Sequence, residues 1–94
     1  MLGDHGIYFK GPHFYDCQMR VPLIMRWPNG GIVENRRVDG FVELVDLVPT
    51  FLEAAGLVIP SAVQGSSLLP LLIGGEESDF CREQVYAEYY NAWT

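Results

Sequence analysis

The sequence predicts an α/β architecture, a sheet with flanking helices that is incomplete within this chain. Two segments patterned as strands, 21–27 and 85–90, bracket one well-marked helix that ends near Gly56. A third observation concerns the surface. Charged residues are 19% of the 94 and hydrophobic residues 49%, whereas ordinary soluble domains carry about 25% charge. Faces so poor in charge predict a piece that is covered by more protein.

Taken in order, residues 1–20 are rich in Gly, His and aromatics without a clear period, and read as an ordered loop punctuated by Gly3, Gly6, Gly11 and Pro12. Val21–Trp27 is a near-continuous apolar run, the pattern of a strand buried on both faces. Pro22 is acceptable near its start, and Pro28-Asn29-Gly30-Gly31 is a strong turn signal at its end. Residues 32–42 are mixed and read as loop or a short edge strand. In ELVDLVPTFLEAAG, Asp46 is the N-cap candidate and Pro49 falls in the first turn, where its missing N–H costs little. Leu47, Phe51, Leu52 and Ala55 recur at helical spacing, and Gly56 stands where a left-handed C-terminal residue belongs. Residues 57–65 form a loop. Ser66 or Ser67 would cap a short helix through Leu72, closed by Gly74-Gly75. Residues 75–84 read as an acidic polar loop, and Val85–Tyr90 alternates with aromatics as a strand does.

Composition also excludes. The net charge is −6 and there are only six Lys and Arg. Arg20, Arg26, Arg36 and Arg37 are scattered rather than striped, so neither nucleic acid nor an anionic membrane is an expected partner. No apolar run approaches the roughly 18 residues of a membrane span. Asp4, His5 and Lys10 interrupt the start before any signal-peptide core could form. Cys17 and Cys81 allow one disulfide without establishing it, leave the compartment open, and form no C-x-x-C pair.

The candidate chemistry lies in the opening loop. Asp4, His5 and Lys10 bring a carboxylate, an imidazole and an ammonium within seven residues. Lysine holds an anionic oxygen as a point charge, and histidine can pass a proton to a leaving group near neutral pH. The set could therefore handle a sulfate or phosphate ester. A solvated loop with a local His–Asp hydrogen bond accounts for the same residues. His13 reads as a packed or surface histidine, since its spacing from Asp4 and His5 matches no zinc motif. Cys17 reads as a small buried apolar filler. Ser61, Ser66 and Ser67 lack a G-x-S-x-G elbow and read as capping residues. Glu43, Asp46 and Glu53 read as solvated or capping groups.

Four landmarks in order resemble the sulfatase family of the alkaline-phosphatase-like superfamily. MLGDHGIYFKG is similar to its L-G-D/E-H-G segment followed by a lysine. FYDCQMRVPLIMRWPNG is similar to its Y-D/E-x-x-x-R-V-P-L-I strand. VELVDLVPTFLEAAGLVIP is similar to its D-L-x-P-T-L/F-L-x-x-A-G helix, and QGSSLLPLLIGG to its Q-G-x-S-L-x-P-L-L-x-G turn. VYAEYYNAW resembles the strand that follows. Each motif alone is weak and the ordered set is specific, covering nearly all of the chain.

The resemblance implies that residues 1–94 are the C-terminal portion of a sulfatase-like hydrolase domain. Members hydrolyse sulfate esters or sulfamates with a formylglycine made from Cys or Ser and a divalent cation, usually calcium. The expected substrate of the whole enzyme is thus a sulfate-ester small molecule or a sulfated glycan. Lys10 matches the lysine that contacts the sulfate and leaving-group region, and His5 matches the family's second His-Gly. Asp4 is expected to support the loop, and Arg20 to fix it by hydrogen bonds. The nucleophile motif, Cys or Ser followed by x-Pro-x-Arg, is absent, as are the metal carboxylates. No residue of this chain is therefore assigned to metal, and the chain alone is expected to need the rest of its domain, to release no sulfate, and to associate or dissolve poorly. A related phosphonate or phosphodiester hydrolase, and a non-catalytic domain of the same fold, are the competing readings.

Overall fold

A computed structural model describes residues 2–9, 11–80 and 82–90. The chain divides into two compact units, one of residues 1–25 with 86–94, the other of 26–85.

The larger unit is built around a helix and a turn. A 3-10 turn, Leu44–Asp46, runs into α2, Leu47–Ala54; a shorter helical turn, α1, precedes it in the other unit at Asp16–Met19. Helix α2 stops as its sequence dictates. Gly56 takes φ +71°, a conformation that costs a residue without Cβ nothing. Its N–H donates to the Glu53 carbonyl at 2.9 Å, and the Leu57 N–H to the Leu52 carbonyl at 2.9 Å. This pair of bonds is a Schellman closure, which satisfies the last carbonyls of the helix.

The start of α2 departs from expectation. Asp46 occupies the N-cap position, but with helical backbone angles and no side-chain bond into the helix. Its carboxylate is spent elsewhere and is wholly buried. It is therefore not solvated, and it caps the 3-10 lead-in turn through the Glu43 N–H rather than α2 itself. Helix α3, Leu69–Leu72, follows; its N-cap is Leu68 rather than the anticipated Ser66 or Ser67, and Ser67 Oγ accepts the Leu69 N–H at 3.1 Å from one residue earlier. The end of α3 is held by Arg36, whose guanidinium donates to the carbonyls of Leu71 at 2.7 Å and Gly75 at 2.6 Å. A cation on terminal carbonyls satisfies groups that the helix leaves bare. Pro28–Gly30 makes the 3-10 turn that the Pro-Asn-Gly-Gly signal requires, with Gly31 at φ +80°. A last 3-10 turn, Glu77–Asp79, interrupts the acidic segment expected to be loop.

No strand is present among the described residues, so the predicted sheet is not found there. A strand exists only through bonds to a neighbouring strand, and Val21–Trp27 and 85–90 form no such ladder. Side-chain pattern alone cannot supply the partner. Ile24, in the run expected to be buried on both faces, is 90% exposed. The buried residues cluster instead where α2 meets α3: Asp46, Pro49, Thr50, Leu68 and Leu71.

The smaller unit is a loop with more local order than its sequence suggests. Asp4–Gly6 is a 3-10 turn and Asp16–Met19 is α1. The amide of Gln18 donates to the Gly11 carbonyl at 2.8 Å, tying α1 back to the loop.

Candidate functional site

The opening loop carries the sequence-predicted chemistry. His5 sits in the left-handed region at φ 52°, ψ 24°, uncommon outside Gly, Asn, Asp and His. That turn lays its ring on Tyr15, with centroids 3.9 Å apart and planes 16° apart. His13 lies on the same tyrosine at 5.8 Å and 28°. Offset stacking of this kind fixes ring planes without consuming the ring nitrogens.

Asp4 does not pair with His5. Its carboxylate accepts the N–H of Leu2 at 3.2 Å and supports the loop. Arg20 lies 3.8 Å from Asp16, and both side chains are largely exposed; an exposed pair one helical turn apart contributes little. Cys17 is exposed, which corrects its reading as a buried filler: α1 turns the thiol outward. Lys10, the residue most directly tied to sulfate by its motif, lies outside the described residues, as does Cys81. The residue that sequence reasoning missed is Tyr15, the platform joining both histidines. Its signal was present as the first position of the Tyr-Asp motif.

The second cluster is buried. Asp46 Oδ2 accepts the Glu43 N–H at 2.8 Å, and Oδ1 accepts the Ser66 N–H at 2.9 Å and the Arg82 guanidinium at 2.6 Å. Arg82 also bonds the Glu43 carboxylate, and its guanidinium lies 6.0 Å from the Phe80 ring centroid. Thr50 extends the network: its hydroxyl donates to the Asp46 carbonyl at 2.6 Å and accepts the Leu68 N–H at 2.8 Å. Gly65 passes so close to the α2 entry that a Cβ there would lie 2.1 Å from the Val45 carbonyl oxygen. A cleft of about 390 Å³ opens alongside, lined by Ser66, Ser67, Pro70, Asp79, Phe80 and Arg82 among others. No histidine lines it, so its serines have no imidazole base beside them.

Among the described residues no group of three His, Cys, Asp or Glu side chains could hold a metal ion. The donor chemistry agrees. Asp46 is already saturated by N–H donors and a cation, and Asp4 is turned to backbone. These residues do not fit a divalent cation site, and no step is routed through one. Among the described residues no helix is long and apolar enough to cross a membrane.

Residues 3–93 match the family described as N-sulphoglucosamine sulphohydrolase, C-terminal. The chain is 39% identical to the N-acetylglucosamine-6-O-sulfatase of Bacteroides thetaiotaomicron over 95% of its length and 16% of that protein's. It is 40% identical to arylsulfatase K of Mus musculus over 99% of the chain and 16% of that relative. It is also 36% identical, over 90% of the chain and 16% of the relative, to the multifunctional alkaline phosphatase superfamily protein PehA of Trinickia caryophylli. No solved structure gives a significant match. The chain belongs to the sulfatase family and corresponds to its C-terminal part. It spans about one sixth of the length of these relatives, 16% in each.

Proposed function

We propose that this chain is the C-terminal part of the catalytic domain of a sulfuric ester hydrolase, and that it contributes one wall of the active site through Lys10 with His5 beside it. The observation that carries the reading is the Gly-Asp-His-Gly segment followed by Lys10, in a chain that matches sulfatases along nearly its whole length. In this reading the Lys10 ammonium faces a sulfate oxygen and the leaving-group oxygen, where negative charge develops as the S–O bond breaks. His5, held flat on Tyr15, is placed to give a proton to the departing alkoxide or phenoxide. Formylglycine and a divalent cation such as calcium are general to the family. They would come from the part of the enzyme that the relatives carry outside the matched segment. The substrate class is a sulfate ester, as a small molecule or on a glycan.

The test is a chimera in which residues 1–94 replace the matching segment of the Bacteroides relative. Sulfate release from 4-nitrophenyl sulfate and from 6-O-sulfated N-acetylglucosamine is expected, and none from the 94-residue chain alone. Lys10→Ala should lower kcat/KM by about 10²–10³-fold, the loss seen when one preorganised charge-stabilising donor is removed. Hydrolysis of 4-nitrophenyl phosphate or a phosphodiester in preference to sulfate would favour the related phosphoester hydrolases. Unchanged turnover in Lys10→Ala would remove the assigned role.

A further inference from the structure

Helix α2 and its lead-in turn have one buried side and one bare apolar side. One side carries Asp46, Pro49 and Thr50, buried against the Ser66–Leu71 segment. The other carries Leu44, Val48 and Phe51, which are 66%, 55% and 61% exposed, and Ala55, also exposed. These four stand at i, i+4, i+7 and i+11, the spacing of one helical stripe. Glu53 is the only charge within α2, and it falls on the opposite side from the stripe. A surface helix of a small soluble domain turns its apolar stripe to the core and a polar face to solvent; here the outward side is the apolar one, as in a helix covered by more protein. The four residues after Gly56, Leu57, Val58, Ile59 and Pro60, are exposed as well, so the bare face continues past the helix end.

We infer that the Leu44–Val48–Phe51–Ala55 stripe is a docking surface for the remainder of the same sulfatase polypeptide, which presents an apolar face to it. The inference rests on the C-terminal-part reading above. Three observations select this occupant over a second copy or an unrelated partner. The curated relatives are about six times as long as the matched segment, which occupies 16% of each. The stripe carries no charged residue that could steer a foreign partner. The same helix is locked on its other side by the Asp46 network, so the stripe is presented on a rigid element, as a permanent interior contact requires.

The experiment places a single cysteine at position 51 (Phe51→Cys, with Cys17→Ser and Cys81→Ser) and measures its maleimide labelling rate by peptide mass spectrometry. The rate is compared between the 94-residue chain and the chimera with the Bacteroides relative. Rapid labelling in the chain alone is expected, with protection of about tenfold or more in the folded chimera, as for a residue in a desolvated contact. Cysteine at Glu53 should label equally fast in both. Equal labelling of position 51 in a chimera that melts cooperatively would overturn the proposal. So would protection already present in the dilute, monomeric chain, which would mean cover from within, or protection that grows with its concentration, which would mean a second copy. A chimera that stays unfolded where the parent relative folds also counts against it. Labelling needs no turnover. A protected but inactive chimera therefore fails the sulfatase reading alone, and an active but unprotected one fails this inference alone.

Discussion

The opening loop and the α2–α3 region differ in where their polar groups are satisfied. In the loop, Asp4 serves a neighbouring N–H, and His5 and His13 lie on Tyr15. In the α2–α3 region, Asp46 is wholly buried and takes two N–H groups and a guanidinium from segments up to 36 residues away. The first region keeps its titratable groups in short-range, mostly exposed contacts. The second consumes its polar groups internally and gains a fixed shape. Titratable residues in one chain thus divide by burial and saturation, not by residue type.

The largest effect should come from breaking the saturated side. Asp46→Ala leaves Arg82 part-buried beside Glu43 alone and frees the Ser66 and Glu43 N–H groups. Removing one partner of a buried pair costs about 3–5 kcal/mol, so urea unfolding followed by circular dichroism should show a large fall in midpoint. A change within the range of a surface substitution would mean that Asp46 is not the node. The same variant should leave the His5–Tyr15 stacking, read from ring-proton shifts, unaltered.

A smaller effect isolates one strand of the network. Thr50→Val keeps shape while removing the hydroxyl that accepts the Leu68 N–H. An orphaned buried N–H costs about 1–3 kcal/mol. Amide exchange at Leu68 should accelerate by the matching factor, and retention of wild-type protection there would show that water or another acceptor takes over.

How far the sequence disclosed these two regions follows from what each depends on. Helix α2, its Schellman end at Gly56 and the Pro-Asn-Gly-Gly turn were legible, because each rests on bonds between residues near in sequence. The Asp46–Arg82 pairing spans 36 residues, and no local pattern reports it; an aspartate before a Leu-x-Pro helix looks like a cap. Arg36, taken as one of several scattered cations, is a helix-end clamp for the same reason. The predicted sheet is not found among the described residues, because apolar alternation describes a side chain's preference for burial while a strand is defined by its neighbour. In the opening loop the candidate His5 was legible by motif. Its platform Tyr15 stood in the Tyr-Asp motif, but its stacking role was not legible, since contact across ten residues of irregular chain follows no period.

The smallest effect concerns residues 85–90, where alternation survives without a ladder. In an extended chain residues two apart share a side, and the phenols of Tyr86 and Tyr90 both bond the Glu88 carboxylate. These bonds, Tyr86 first, favour the ionised carboxylate and hold Glu88 below its ordinary 4.5. The bond to Glu88 holds Tyr86 above its ordinary 10.0, with desolvation adding to the shift. A depressed acid stabilises the arrangement fully above its ordinary value, and that contribution is lost as pH falls through the lowered one. For the raised phenol, the contribution is complete below pH 10.0 and is lost as pH rises through the higher value. The arrangement should therefore persist across neutral pH and open at both extremes. Carbon-detected NMR titration should place the Glu88 midpoint below 4.5, with Tyr86→Phe moving it upward and Tyr86→Phe with Tyr90→Phe moving it further. A midpoint indifferent to both changes would show that the alternation in 85–90 leaves no trace in the folded chain. Movement would show that part of a strand's geometry is held locally, by side chains, where the ladder itself is not formed.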